Sequence, residues 1–112
     1  MELSEKKAGK VTVLTLDGRL DASSATDFKD TIKRLIGNNE KFLVIDMKDV
    51  TFVDSTGLGG LISCLRNINK ANGEIKISSL RDDVRAIFEL TRLHSLFEIF
   101  HDEQTAVAHF ED

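Results

Sequence analysis

Apolar positions recur along this chain with two different periods, and the switches between them mark out its elements. Near the start, Leu3 to Lys6 reads as a short edge strand that turns at Ala8-Gly9. Val11 to Leu16 is rich in β-branched residues and runs into the turn signal Asp17-Gly18. Beyond it Ala25, Phe28, Ile32, Leu35 and Ile36 fall at helical spacing, with Ser23 or Ser24 placed to cap the helix and Gly37-Asn38-Asn39 to end it. Phe42 to Ile45, then Val50 to Val53, form one apolar, strand-like segment, and the continuous run Phe42-Leu43-Val44-Ile45 fits a strand covered on both faces or a buried helix segment. A helical face then returns at Leu58, Leu61, Ile62, Leu65 and Ile68 and stops at Asn72-Gly73. Glu74 to Ser78 alternates around Ile75 and Ile77 as a strand, and Val84, Ile87 and Phe88 mark a short helix. Leu96 to Phe100 reads as a last strand, and Asp102 caps a terminal helix reaching about Phe110.

The order β-β-α-β-α-β-α-β-α predicts an α/β fold with a mixed, mostly parallel sheet, the first hairpin supplying an antiparallel edge. At 112 residues the chain is expected to form a single domain over 1–112. Its 41% hydrophobic and 30% charged residues make an ordinary globular balance. A formal charge of −4 disfavours nucleic acid and anionic membrane as partners, since both select a basic face. Seven Phe without Trp or Tyr supply few stacking platforms for bases. Cys64 stands alone near an apolar helical stripe, so it is expected to be a buried structural thiol. The charged start Met1-Glu2-Leu3-Ser4-Glu5-Lys6-Lys7 lacks the apolar stretch of a secretion signal, and no segment reaches membrane-spanning length. A cytoplasmic protein is expected, and a monomer, because no heptad pattern or apolar patch is readable.

The run Val53-Asp54-Ser55-Thr56-Gly57-Leu58-Gly59-Gly60 is where the chain departs from routine. A strand delivers it to good helix-capping residues, and glycines fill the next turn. Each glycine costs a helix interior about 1 kcal/mol relative to alanine. Either a special backbone angle or the close approach of another molecule to Ser55 would account for them. Enzyme readings find little support. Neither Gly-x-x-x-x-Gly-Lys nor Gly-x-Gly-x-x-Gly occurs, and Ser55 is not in a Gly-x-Ser-x-Gly elbow. His94, His101 and His109 are expected to be surface or packing residues. Asp46, Asp49 and Asp54 cluster near one strand end, where turn and cap duty explains them at least as well as a metal. A phosphorelay receiver would want a lysine near its last strand, and Phe97-Glu98-Ile99-Phe100-His101-Asp102 has none.

Ser55 then remains as a modifiable hydroxyl, against the plainer reading of a helix N-cap alone. A phosphate there would add about −1.5 to −2 charges at a helix N-terminus, which accommodates an anion. The same charge would oppose any partner covering Asp54. Binding would change while the fold stayed.

These residues resemble the anti-sigma factor antagonists, whose STAS domain also forms the tails of sulphate transporters. The likeness rests on Gly18-Arg19-Leu20-Asp21, on Leu43-Val44-Ile45-Asp46, above all on Asp54-Ser55-Thr56-Gly57-Leu58-Gly59, and more weakly on Ser78-Ser79-Leu80. It implies a STAS-like mixed sheet with about four helices packed mainly on one side. It also implies partner switching without catalysis by the chain, which has no cofactor or metal of its own. The unmodified protein binds an anti-sigma factor that is itself a serine kinase using ATP and magnesium, and so frees a sigma factor. Phosphorylation of Ser55 breaks the complex, and a serine phosphatase resets it. By this resemblance Ser55 is the acceptor, with Thr56 secondary, and Asp21, Asp54, Ser55, Thr56, Gly57, Leu58 and Gly59 meet the partner. A STAS scaffold subunit and a ligand-binding or transport-accessory module are the alternative uses of such a domain.

Overall fold

The computed structural model describes residues 1–110. Strands β1 (Glu2–Ala8) and β2 (Val11–Leu20) form the antiparallel hairpin, followed by α1 (Ala25–Gly37) and β3 (Phe42–Val53). Then come α2 (Ser55–Lys70), β4 (Glu74–Ser78), α3 (Asp82–Leu90), β5 (Glu98–Phe100) and α4 (Glu103–Ala108), with a 3₁₀ turn at Leu93–Ser95. The sheet order is β1-β2-β3-β4-β5, and β2 to β5 run parallel. Each parallel strand is added on the same side of the last, so right-handed crossovers carry α1, α2 and α3 to one face. The packing agrees. Leu14, Leu16 and Leu20 of β2 and Leu43, Ile45 and Met47 of β3 meet Phe28 and Ile32 of α1, Leu61 and Ile68 of α2, and Phe88 of α3. On the second face a smaller cluster joins Val11, Val13 and Val44 to Ala106 of α4 and to Phe110 just beyond it.

The two long strands differ from expectation in an instructive way. Asp17-Gly18 does not end β2, and β3 runs unbroken through the polar stretch between Ile45 and Val50. Two bulges account for both. Thr15 pairs with Asp46 but Asp17 with Asp49, and Gly18 pairs with Val50 but Arg19 with Phe52. At each place β3 carries one extra residue, and Gly18 takes φ +119 beside the second. The inward residues of β3 are therefore Leu43, Ile45, Met47, Val50 and Val53, which breaks the simple alternation.

Other boundaries moved for local reasons. The last strand is only Glu98–Phe100, because Leu93 and Phe97 are the buried anchors and Leu96 is exposed. Ser24 stands at the start of α1, but its side chain caps no helical N–H. Its hydroxyl donates to the Arg19 carbonyl at 2.7 Å and accepts from the Asp21 N–H at 3.0 Å. The C-terminal ends behave as expected: Asn39 after α1 and Asn72 after α2 adopt left-handed φ, with Glu40 N–H donating to Leu35 O and Gly73 N–H to Ile68 O. Asp102 caps α4 by accepting the Thr105 N–H at 2.7 Å.

Buried polar groups gather on the second face. Lys76 is only 3% exposed, with Nζ 2.7 Å from Glu98 Oε1 and 4.6 Å from the Phe110 ring centre. Asp46 is buried on β3, opposite Ser78, and its Oδ1 accepts the Lys48 N–H at 3.1 Å. Burial pushes the Asp46 carboxyl above its ordinary range, against the pull of the Lys48 N–H and charge. In the folded chain this group therefore holds its proton to higher pH than in the unfolded one, so stability falls as pH rises through the raised value. Asparagine keeps the acceptor and removes the charge. We expect Asp46→Asn to raise the Tm at pH 7, with the gain vanishing below about pH 4, where the native carboxyl is protonated too. Melting curves of both proteins across that range check it, and an unchanged Tm at pH 7 would refute the burial argument.

Candidate functional site

Strands β2 and β3 run on together past the rest of the sheet. The last pair of β3 with β4 is Asp46 with Ser78, whereas β2 and β3 continue to Leu20 with Val53. Their ends deliver two loops side by side, one beginning at Asp21 and one at Asp54.

Asp54 has extended backbone, φ −100 and ψ −176, and is the N-cap of α2. Its Oδ1 accepts the Gly57 N–H at 2.8 Å, and its carbonyl accepts the Leu58 N–H at 2.9 Å. The other carboxylate oxygen accepts the Ala22 N–H at 3.3 Å, and the Asp54 N–H donates to the Leu20 carbonyl at 3.3 Å. One residue thus starts the helix and ties it to the neighbouring loop. Ser55 is not the cap, as the plainer reading would have it. It occupies the first helical position, and both Ser55 and Thr56 are exposed.

Asp21 is built into its own loop. Its Oδ1 accepts the Ser23 hydroxyl at 2.6 Å and the Ser23 N–H at 3.0 Å, while Oδ2 lies 3.3 Å from Arg19 Nε. The Ser23 hydroxyl, then its N–H and Arg19, hold the Asp21 carboxyl below the usual range. The Asp21 carbonyl also accepts the Ser24 and Ala25 N–H groups, so the residue starts α1 through its main chain.

The three glycines divide by role. A β-carbon on Gly57 would lie 2.1 Å from the Leu20 carbonyl oxygen, so that glycine is required by close approach within the chain itself. Neither a special backbone angle nor an outside molecule is its reason. Gly60 faces Ala25, Phe28 and Lys29 at 3.8–3.9 Å, ordinary contact distances. Gly59 is exposed, and a β-carbon there would meet nothing within 4 Å. Leu58 is half-buried against the core. The structure therefore brings Asp21, Asp54, Ser55, Thr56, Leu58 and Gly59 to one end of the sheet, with Gly57 holding that end together.

Two neighbours went unread in the sequence. Arg19 and Phe52 are register partners, and the guanidinium carbon sits 4.0 Å from the Phe52 ring centre. The bulges hide the pair, since an unbroken ladder from Thr15 and Asp46 would set Arg19 opposite Val50. The remaining candidates lie elsewhere or do other work. Asp46 is on the second face, and among the described residues no group of three His, Cys, Asp or Glu side chains is placed to hold a metal. His94, His101 and His109 are exposed. Cys64 is buried on α2, and burial pushes its thiol up to about 12. No helix among the described residues is long and apolar enough to cross a membrane.

The family model described as STAS domain matches residues 3–106. The chain belongs to the STAS domain family. A curated relative, the anti-sigma-B factor antagonist of Listeria monocytogenes, is 26% identical over 99 residues, covering 88% of this chain and 86% of its own. A solved protein of Thermotoga maritima superposes with a TM-score of 0.92 at 21% identity, covering 98% of this STAS chain and 95% of that one. The Bacillus cell fate determinant SpoIIAA in its phosphorylated form gives 0.76 at 17% identity, with 97% and 99% covered. These structural likenesses establish the mixed sheet and its helices, as expected from the sequence.

The glycine assignments make opposite predictions for one substitution. Gly57→Ala should destabilise the STAS fold by at least about 2 kcal/mol, because the β2 carbonyl must move. Gly59→Ala should stabilise it by up to about 1 kcal/mol through helix propensity. Denaturant unfolding of the two variants reads both signs, and equal effects would discard the distinction.

Proposed function

We propose that this chain is an anti-sigma factor antagonist that switches partners through Ser55. The observation that carries this reading is the division of labour at α2: Asp54 makes the capping bonds, and the Ser55 hydroxyl stands exposed beside it. Modifying that hydroxyl leaves the bonds that start the helix in place. The printed descriptions of the Listeria relative and of phosphorylated SpoIIAA lend support from the same family.

In this reading the unmodified chain docks on an anti-sigma factor that is a serine kinase, and a sigma factor is released. Gly59 offers bare backbone to that partner, and Asp21, Asp54, Thr56 and Leu58 surround the acceptor. The Ser55 hydroxyl oxygen attacks the γ-phosphorus of the kinase's ATP, its proton is lost, and ADP leaves. The product carries about −1.5 to −2 additional charges next to two carboxylates. A partner shaped for the neutral hydroxyl must then cover that charge, and repulsion with desolvation readily costs several kcal/mol. Hydrolysis by a serine phosphatase restores the binder. The chain is substrate and binder, not catalyst, and acts in the cytoplasm as a monomer.

Phosphopeptide mapping of the protein from its own cells, under growth and under stress, tests the acceptor. Occupancy of Ser55 that changes with condition is expected, and its absence throughout would favour a scaffold or ligand module. With the kinase that modifies Ser55 as probe, Ser55→Asp should bind at least tenfold more weakly than wild type. Its Tm should be unchanged or slightly higher, since an anion in the first helical turn is favourable by about 0.3–1 kcal/mol. Gly59→Ala should weaken the same complex while stabilising the chain. Equal affinities of wild type and Ser55→Asp would sink the switch.

A further inference from the structure

Among the described residues, the extension of β2 and β3 beyond the end of β4 is covered by helices on one side only. Leu20, Val50 and Val53 pack inward with the helices. The outward pair at its tip is Arg19 and Phe52, two residues before Asp21 and Asp54, which follow the ends of β2 and β3. Helix α4, which covers the second face, packs far from here on Val11, Val13 and Val44. Phe52 is half-buried, and its ring lies under the Arg19 guanidinium at 4.0 Å. The Arg19 side chain is 61% exposed, and its Nε is spent on Asp21 at 3.3 Å.

This arginine already has two contacts before any partner arrives. The Phe52 ring lies beneath its guanidinium carbon, and its Nε faces Asp21. Within the described residues its hydrogen bonding uses Nε, which leaves the terminal amino groups for an outside acceptor. A planar guanidinium with a free edge fits a carboxylate in its own plane. A free phosphate would meet the Asp21 and Asp54 carboxylates in the same small area, whereas a protein can set an acidic side chain on Arg19 and neutral or basic groups on the aspartates. Arginine over an aromatic ring is also the kind of rigid anchor that carries interface energy.

We propose that Arg19, seated on Phe52, is a specificity-determining contact that pairs with a carboxylate of the protein docking at Ser55. The proposal rests on the partner-switching reading and deepens it. The docking surface then wraps from the exposed first turn of α2 around the strand ends to the second face. Partners with a basic side chain opposite Arg19 are rejected, and partners with an acidic one are accepted.

The test uses the full chain and the purified kinase that modifies Ser55. Arg19→Glu should bind at least tenfold more weakly, and Arg19→Gln several-fold more weakly. Changing the opposing acidic side chain of the kinase to lysine should restore Arg19→Glu while leaving Ser55→Asp impaired. That restoration separates direct contact from mere positioning of Asp21, which no change in the partner's charge would mend. If Arg19→Glu fails to fold, Arg19→Gln, which keeps a planar group over Phe52, decides the matter. Affinity of Arg19→Gln within twofold of wild type, tighter binding by Arg19→Glu, or no restoring charge reversal would overturn the proposal. With wild type binding and Ser55→Asp released, those results leave the switch itself standing. A wild-type chain that does not bind the kinase removes both.

Discussion

The carbonyl of Leu20 occupies the place where a side chain on the third residue of α2 would begin, and the candidate site depends on that contact. Gly57 permits it, and the Asp54 N–H donates to the same carbonyl at 3.3 Å. With β2 pressed against the first turn of α2, the Asp54 carboxylate reaches both Gly57 and Ala22. The loop carrying Asp21 is thereby locked to the helix carrying Ser55. A larger residue at Gly57 would part the two, and the exposed hydroxyl would lose its fixed surroundings. Under the proposed switch, preorganisation of this kind would let a partner read a small chemical change, because these two loops need no ordering at the moment of binding.

Much of this was legible in the residues. Periods of two and of three to four gave most elements their type, though not the 3₁₀ turn at Leu93–Ser95, and the helix ends were marked correctly by Asn39 and Asn72. The sites Asp21, Asp54, Ser55 and Gly59 were drawn to one end of the sheet because each follows directly on a strand or opens the helix after one. The losses have a common cause. Bulges insert residues without any compositional signature, so Asp17-Gly18 looked like a turn although it lies inside β2. Glycine carries no label for its reason either. Gly57, Gly59 and Gly60 read as one motif, yet the first is required by a carbonyl 2.1 Å from its missing β-carbon and the second by nothing inside the chain. Only coordinates separate an internal constraint from an outward-facing one.

The buried polar residues on the second face illustrate a different limit. Lys76 and Asp46 look like solvent-facing members of alternating strands, and alternation alone places them correctly on the face away from α1, α2 and α3. Their burial follows from α4 and Phe110, which close over part of that face. A lysine is tolerated there because Glu98 lies at 2.7 Å and the Phe110 ring at 4.6 Å. This second cluster is apolar only in Val11, Val13, Val44, Ala106, Phe110 and their neighbours, so its cover is short. The tip of β2 and β3 is left bare as a result.

The two bulges connect this bareness to the proposed switch. In a regular strand side chains alternate strictly, and a shift of one residue sends every side chain to the opposite face. Between Thr15 and Leu20 strand β2 keeps its alternation, with Leu16 and Leu20 inward, whereas β3 needs two additional residues over the matching span. Those residues return Val53 to the core opposite Leu20 and leave Phe52 outward beneath Arg19. Removing either would turn Val53 outward and Phe52 inward, and Asp54 would then approach α2 from the wrong side to cap it. The same irregularity that hides the tip in the sequence is therefore what sets the capping carboxylate, the exposed hydroxyl and the arginine on one continuous edge.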